Sequence, residues 1–568
     1  MTKGEMLAVL GFVERSRSPL RDDLGLAEPD PIWRMVVFLV RQHLDAKRVT
    51  ITSLADASGA PYGTAMRRIR EMMTEGLIER HPYSRTGRSF SLHPSDALMA
   101  RVERYAEDIK RLVGEAIGAR AEATTATEDF HFGRSYIAAR IIPRPVPPVE
   151  PPFPGHTVRM LAYVDPVFVI ISGMRTQLVE MTGITFEIEP FKIERLREKT
   201  LENAGHPVSR VDVLAIDFPW IGEYCANGLL HPLDDLIAGS GMNRFDFHGA
   251  SWEAGTVKGI QYGIPIQPTA DLLWYRKDLF QVSGLAPPVD VEGVLHAARN
   301  LHRPVVDLNG IAFSAARGTP LANTFIQVMG AFGRPPFNLR RVGAHYDLSD
   351  LSGEDLRPMI DSDEGLQTAT YLKELVRFSP PGILSMAWDD CALAYADGAV
   401  AMCYNWSCRA GLFEMDPRSP ARRNTGFLPH PAGRRGRSWS PIGGSLLGIP
   451  ANIDPERIEP AWALIERLTS PELMKIYVEN GSTVSTRFSV SADPDVAAAS
   501  PIIGVVDRLA RAGQLQTWQR PPVPEFADVI AVIGSEIHDM LRGEITPRES
   551  VQRAQGRADA IMRAHGRY

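Results

Sequence analysis

Cysteine is nearly absent: Cys225, Cys391, Cys403 and Cys408 are the only four in 568 residues. They show no CxxC pair and no dense, even spacing, which argues against a disulfide-built scaffold or a thiolate metal site. Long apolar runs are missing too. The longest, Met6–Val13 and Met35–Val40, fall far short of the roughly 20 residues that span a bilayer, so no membrane insertion is expected. A secretory leader is poorly supported, because the apolar stretch Leu7–Val13 runs straight into Glu14-Arg-Ser-Arg17 without a small-residue cleavage site. Nor is there an excess of basic charge. The 62 Lys and Arg face 68 Asp and Glu, a net charge of -6, so affinity for nucleic acid has to come from one locally basic element. No P-loop, no GxGxxG after a first strand, no HExxH and no nucleophile–base–acid set is present. Neither enzymatic activity nor a cofactor nor a metal is expected.

A chain of this length exceeds what one hydrophobic core supports, so at least two domains are expected. The 44% hydrophobic and 23% charged composition is that of an ordinary globular protein. The text changes character twice. Residues 1–120 read as a small helical unit, 121–156 as a linker in which seven prolines crowd between Pro143 and Pro154, and 157–568 as alternating strands and helices. Proline at that density favours extended, semi-rigid chain.

In the first region, Pro31–Leu44 begins after Asp30 with proline at its first position, a helix-start signature. A short helix capped by Thr52 or Ser53 and stopped by Gly59 precedes a second helix from about Pro61 to Gly76, the pattern of a helix-turn-helix. Ala65, Ile69 and Met72 share one face of that second helix, which leaves Tyr62, Thr64, Arg67 and Arg68 outward. Two short strands, Leu77–Arg80 and Ser89–Leu92, flank a tip carrying Arg85 and Arg88. The segment ITSLADASGAPYGTAMRRIREMMTEGLIERHPYSRTGRSFSLHPS resembles a bacterial winged-helix regulator of the MarR-like type. That resemblance implies double-stranded DNA as partner, contacted by Tyr62, Thr64, Arg67, Arg68, Arg85 and Arg88. From Ser95 to Ala119, Leu98, Val102, Tyr105, Ile109, Leu112 and Ala116 form a 4-3-4-3-4 seam that suits a homodimer.

In the third region, strand Val158–Val164, helix Val167–Thr182 and strand Ile184–Glu189 set a βαβ pattern and a mainly parallel sheet. Five stretches, DVLAIDFPWIGEYCANGLLHPLDDLI, YGIPIQPTADLLWYRKDLFQVSGLAPP, WDDCALAYADGAVAMCYNW, PIGGSLLGIP and STVSTRFSVSADPDV, are similar in kind and order to the family 1 extracellular solute-binding proteins of carbohydrate ABC importers. The resemblance implies a ligand held between two lobes. Aromatic faces at Phe218, Trp220, Trp274, Tyr275, Trp388 and Trp406 would stack on a sugar or polyol. Asp165, Asp217, Gln267, Asp271, Asp389, Asp390, Asn405 and Arg487 would bond its hydroxyls.

The fold class expected is therefore multidomain: an α+β winged helix-turn-helix followed by a two-lobed α/β periplasmic-binding-protein-like fold. The function expected from the combination is a cytoplasmic, ligand-responsive transcriptional regulator. A carbohydrate ABC transporter solute-binding protein with an atypical N-terminus is the other reading.

Overall fold

The computed structural model describes residues 31–44, 47–82, 90–116 and 153–568 except 344, 349, 350 and 435, together with positions 10 and 13. The chain divides into two compact units, Met1–Ser135 and Tyr136–Tyr568. Nearly all of the proline-rich segment expected as a linker lies outside the described residues.

The N-terminal unit runs α1 (Pro31–Leu44), α2 (Ile51–Ala57), α3 (Tyr62–Thr74), β1 (Ile78–Pro82), β2 (Phe90–Pro94) and α4 (Asp96–Ala116). Helix α2 starts earlier than expected because Thr50 and Ser53 form a reciprocal cap, each side-chain oxygen accepting the other's backbone N–H. Gly59, at φ 65°, turns the chain into α3. Ala65, Ile69 and Met72 are buried in a core with Met35, Leu39, Leu54 and Leu92.

Two expectations change here. Leu98 and Val102 of α4 belong to this same core, and Tyr105 stands edge-on against Trp33 at 5.0 Å. Leu98 and Val102 of the expected dimer seam therefore pack into their own unit's core, and Tyr105 is half-buried beside Trp33. The side chains of Leu112 and Ala116 lie outside the described residues. On α3, Tyr62 and Thr64 are exposed, but Arg67 and Arg68 both turn to Glu71, at 3.7 and 2.8 Å. The basic face is partly neutralised by its own helix. Arg85 and Arg88 lie outside the described residues.

The C-terminal unit is built on β3 (Thr157–Tyr163), β4 (Thr185–Phe191), β5 (Val213–Asp217), β6 (Ile264–Arg276), β7 (Asn309–Ala312), β8 (Val400–Trp406), β9 (Thr425–Leu428) and β10 (Ser440–Gly448). Their order is β4-β3-β5-β10-β6-β8-β7, with β9 also on β6. The 13-residue β6 joins two lobes. Its residues up to Ala270 pair with β10, and from Asp271 onward it pairs with β8 and β9. Every residue of this strand but Tyr275 is buried, including the polar Gln267, Thr269 and Asp271, and all of its pairings are antiparallel, so the sheet is mixed and not mainly parallel as expected. The single helix expected from Val167 to Thr182 is two, Pro166–Gly173 and Arg175–Thr182, broken at Met174.

Candidate ligand-binding cleft

Three strands end at one place. Asp165 follows β3, Asp217 closes β5 and Trp406 closes β8, and in open α/β sheets the carboxyl ends of strands are where loops build binding sites. The first two belong to one lobe and the third to the other. Trp388 and Asp389 open the helix Trp388–Ala396 beside them.

The cleft is dominated by two arginine–carboxylate assemblies, each associated with an indole. Arg520 forms an ion pair with Asp217, both side chains only 7% exposed, and its guanidinium lies 5.8 Å from the Trp406 ring centre. Arg409 donates from Nε to Asp389 at 3.1 Å, reaches Asp165 at 4.0 Å across the lobes and lies 5.7 Å from the ring of Trp388. Trp406, Cys408 and Val484, with Trp388 against them, form a small apolar cluster apart from the main core. Burial holds the Asp217 carboxyl above the usual carboxylate range against the opposing pull of Arg520. Burial pushes Asp165 up to about 6, with Arg409 drawing it back and Asp389 and Asp217 adding to the rise.

Glycine makes this approach possible. A Cβ at Gly443 would stand 2.4 Å from an Arg520 Nη and 3.0 Å from the Trp406 ring. Gly444, at φ 125°, would drive one into the Gln267 carbonyl. The Gln267 side chain is wholly buried, and neither its Nε2 nor its Oε1 has a hydrogen-bond partner of good geometry, although the amide lies close enough to Asp165 to lower its carboxyl slightly. A buried amide in that state costs free energy unless something supplies its partners.

Of the other residues singled out in the sequence, Asn405 is a brace. Its Nδ2 donates to the Trp388 carbonyl at 2.8 Å and its Oδ1 accepts from the Trp406 N–H at 2.8 Å, which fixes both indoles. Asp390 caps its own helix through the Ala387 N–H. Phe218 is tied to Gly444 through its backbone N–H, and Trp220 is buried against Tyr224. Four have partners of other kinds. Asp271 faces His430 at 2.6 Å, Trp274 sits in the core against Phe413 and Tyr395, and Tyr275 packs on Phe280. Arg487 bonds Asp246 and the Thr469 carbonyl beneath Phe247. Arg409, Arg520 and the Gly443–Gly444 pair are the groups that sequence reasoning missed. The adjacent glycines inside a strand were the one available signal, since glycine there marks a close approach.

The family described as bacterial extracellular solute-binding protein matches residues 174–502. A probable amino-acid ABC transporter periplasmic-binding protein of Sinorhizobium fredii is 23% identical over 428 residues, covering 73% of this chain and 91% of its own. The mannitol-binding protein of Pseudomonas aeruginosa is 24% identical over 393 residues, 65% of this chain and 85% of its own. Among solved structures, an Agrobacterium radiobacter ABC transporter solute-binding protein in complex with ribitol superposes with a TM-score of 0.66 at 26% identity, covering 72% of this chain and all of that one. An Agrobacterium vitis solute-binding protein with bound D-mannitol, at 21% identity and TM-score 0.63 over 72% of this chain and 99% of its own, shares the fold.

These findings overturn two expectations. The reading as a DNA-binding regulator does not stand, because the matched family and relatives are solute-binding proteins of transporters. The cytoplasmic location falls with it, since that family is described as extracellular and the Sinorhizobium fredii relative is named as periplasmic. The basic helix of the smaller unit pairs Arg67 and Arg68 with its own Glu71. Through residues 174–502, more than half its length, the chain belongs to the bacterial extracellular solute-binding proteins.

Proposed function

We propose that the C-terminal unit is the solute-binding component of an ABC importer, working on the extracytoplasmic side of the membrane and holding a sugar or polyol between its lobes. The observation that carries this reading is the convergence of Trp388 and Trp406 with Asp165, Asp217, Asp389 and the unpartnered amide of Gln267. Indole faces offer apolar surface to C–H groups, while carboxylates and an amide take up hydroxyls. The names of the mannitol-binding relative and of the ribitol complex support the same ligand class. Ligand capture, with no bond made or broken, is the activity proposed.

The contacts expected with the ligand are Asp165, Asp217, Gln267, Trp388, Asp389 and Trp406, with Asn405 positioning the two indoles and Phe218 and Trp220 behind them. For the N-terminal unit the proposal is confined to fold: three helices, a hairpin and a following helix around one core support a winged-helix arrangement.

Thermal melting of the full chain across sugars and polyols tests the reading. A ligand present at about 100 times its Kd adds roughly 2.7 kcal/mol to the folded state. A panel of pentitols, hexitols and di- and trisaccharides that leaves the C-terminal transition unmoved refutes it.

A further inference from the structure

The relatives divide between a mannitol-binding protein and one named for amino acids, and the cleft itself carries the means to choose. We infer that it is charge-selective, admitting ligands that bear only hydroxyl groups and rejecting those that carry a carboxylate or phosphate, because both of its guanidinium groups are already engaged by aspartates and the three carboxylates Asp165, Asp217 and Asp389 share those two cations. This deepens the sugar or polyol reading above and rests on it.

A sugar acid, an amino acid or a sugar phosphate is recognised by a guanidinium fork presented to the anion. Here Arg520 is held by Asp217 and Arg409 by Asp389 at 3.1 Å, each beside an indole. An anionic ligand would have to break one of these pairs and strip its aspartate of a cation, an exchange most expensive at Asp217, which is only 7% exposed, and milder at Asp389, which is 35% exposed. The charged groups that act most on Asp165 are Arg409, Asp389 and Asp217, and Tyr163 and Cys408 are its other titratable neighbours. Three carboxylates thus share two guanidinium groups. The Arg409 contact with Asp165, at 4.0 Å, is long for a hydrogen bond.

Asp165 has acceptor capacity to spare, since its contacts with the weak donor Cys408 Sγ at 3.9 Å and with Arg409 at 4.0 Å are both long. A ligand hydroxyl supplies a donor, and beside it the orphaned Gln267 amide offers both a donor and an acceptor. A second anion in the same place meets like charge.

A consequence in pH follows. Donation from a hydroxyl favours the ionised form of Asp165, so binding lowers the pKa of a group that burial holds at about 6 and releases a proton. Affinity for a neutral polyol then falls roughly tenfold between pH 7 and pH 5.

The test is calorimetric titration of the full chain with mannitol, ribitol and maltose against gluconate, glucose 6-phosphate and glutamine, repeated on Asp165→Asn. The expected result is binding of at least one neutral compound and at least 100-fold weaker binding of every anionic or zwitterionic one, with that ratio reduced tenfold or more in the variant. Comparison of two buffers of different ionisation enthalpy should show proton release on binding to the unaltered protein near pH 6, a readout that stands even if Asp165→Asn folds poorly. Gluconate, the phosphate or glutamine binding as tightly as the best neutral compound overturns the charge selection and leaves the solute-binding reading in place. Silence from all six overturns the sugar or polyol reading and this inference with it.

Discussion

Both units are rich in arginine, and they use it differently. In α3 of the N-terminal unit, Arg67 and Arg68 reach Glu71 within one turn of helix, with all three side chains well exposed. In the C-terminal unit, Asp217 and Arg520 meet across 303 residues of chain, each almost fully buried. The first pairing is a by-product of helical spacing and is screened by water. The second exists only because the fold brings distant segments together and removes the solvent. An arginine's place in sequence therefore says little about its importance; its burial and the chain distance to its partner say much more.

The largest expected effect breaks the buried side of this contrast. Arg520→Met, which leaves Asp217 buried and unpaired, should destabilise the C-terminal unit by about 3–5 kcal/mol. Adding Asp217→Leu should recover much of the loss. Urea denaturation of the full chain reads both, and a loss below about 1 kcal/mol for the single variant would place the pair among the inconsequential ones.

Next in size is Leu98→Ala in α4. Leu98 sits in the N-terminal core, so the substitution should cost that unit about 2–4 kcal/mol without changing the sedimentation behaviour of the full chain. A dimer that falls apart on this substitution, with the unit's own melting unmoved, would show that the apolar stripe serves a second copy after all.

Trp388→Ala should act on binding more than on folding, because the indole is only partly buried. A loss of about 1–2 kcal/mol, roughly 5- to 30-fold in Kd, with little change in melting temperature is expected from calorimetry. The smallest effect belongs to Arg68→Ala. An exposed pair one turn apart contributes about 0.5 kcal/mol or less, and a larger loss would mean that the surface pairs had been undervalued.

Acid should move stability and affinity in opposite directions. Asp165, at about 6, and Glu414, buried where Ser500 Oγ and the Ile502 N–H donate to it and held at about 7, both have carboxyls raised above their unfolded values. The folded state then binds protons that the unfolded chain does not. The contribution of these two groups to stability grows as pH falls through about 7 to 4, and it is lost again as pH rises through their folded values. Ligand affinity should decline over part of the same window, and melting curves with and without ligand at pH 5 and pH 7 separate the two.

Much of the lobe architecture was legible in the residues. Strand–helix alternation after Val158 and the family-like stretches from Asp212 to Val496 mark the α/β unit, although the expected mainly parallel sheet is mixed, with the pairs along β6 and β10 antiparallel. Asp165, Asp217, Trp388 and Trp406 were readable as cleft candidates because they stand where strands end or helices begin. Asp271, Trp274 and Tyr275 carry the same residue types in a strand, and there the type alone could not say whether a side chain faces a ligand, His430 or the core. The N-terminal pattern supports an arrangement of elements and not, by itself, a function.

Local spacing, apolar period and turn residues act over a few positions, so the sequence by itself determined the two regions, the elements within them and the reach of the family resemblance. Tertiary structure alone decided which charges are buried, which aspartates each guanidinium meets, and that Arg409 is shared between Asp389 and Asp165. Those properties depend on segments such as Gly443–Gly444, Arg409 and Arg520, which lie far apart along the chain and become neighbours of Asp165, Asp217 and Trp406 only in the folded unit.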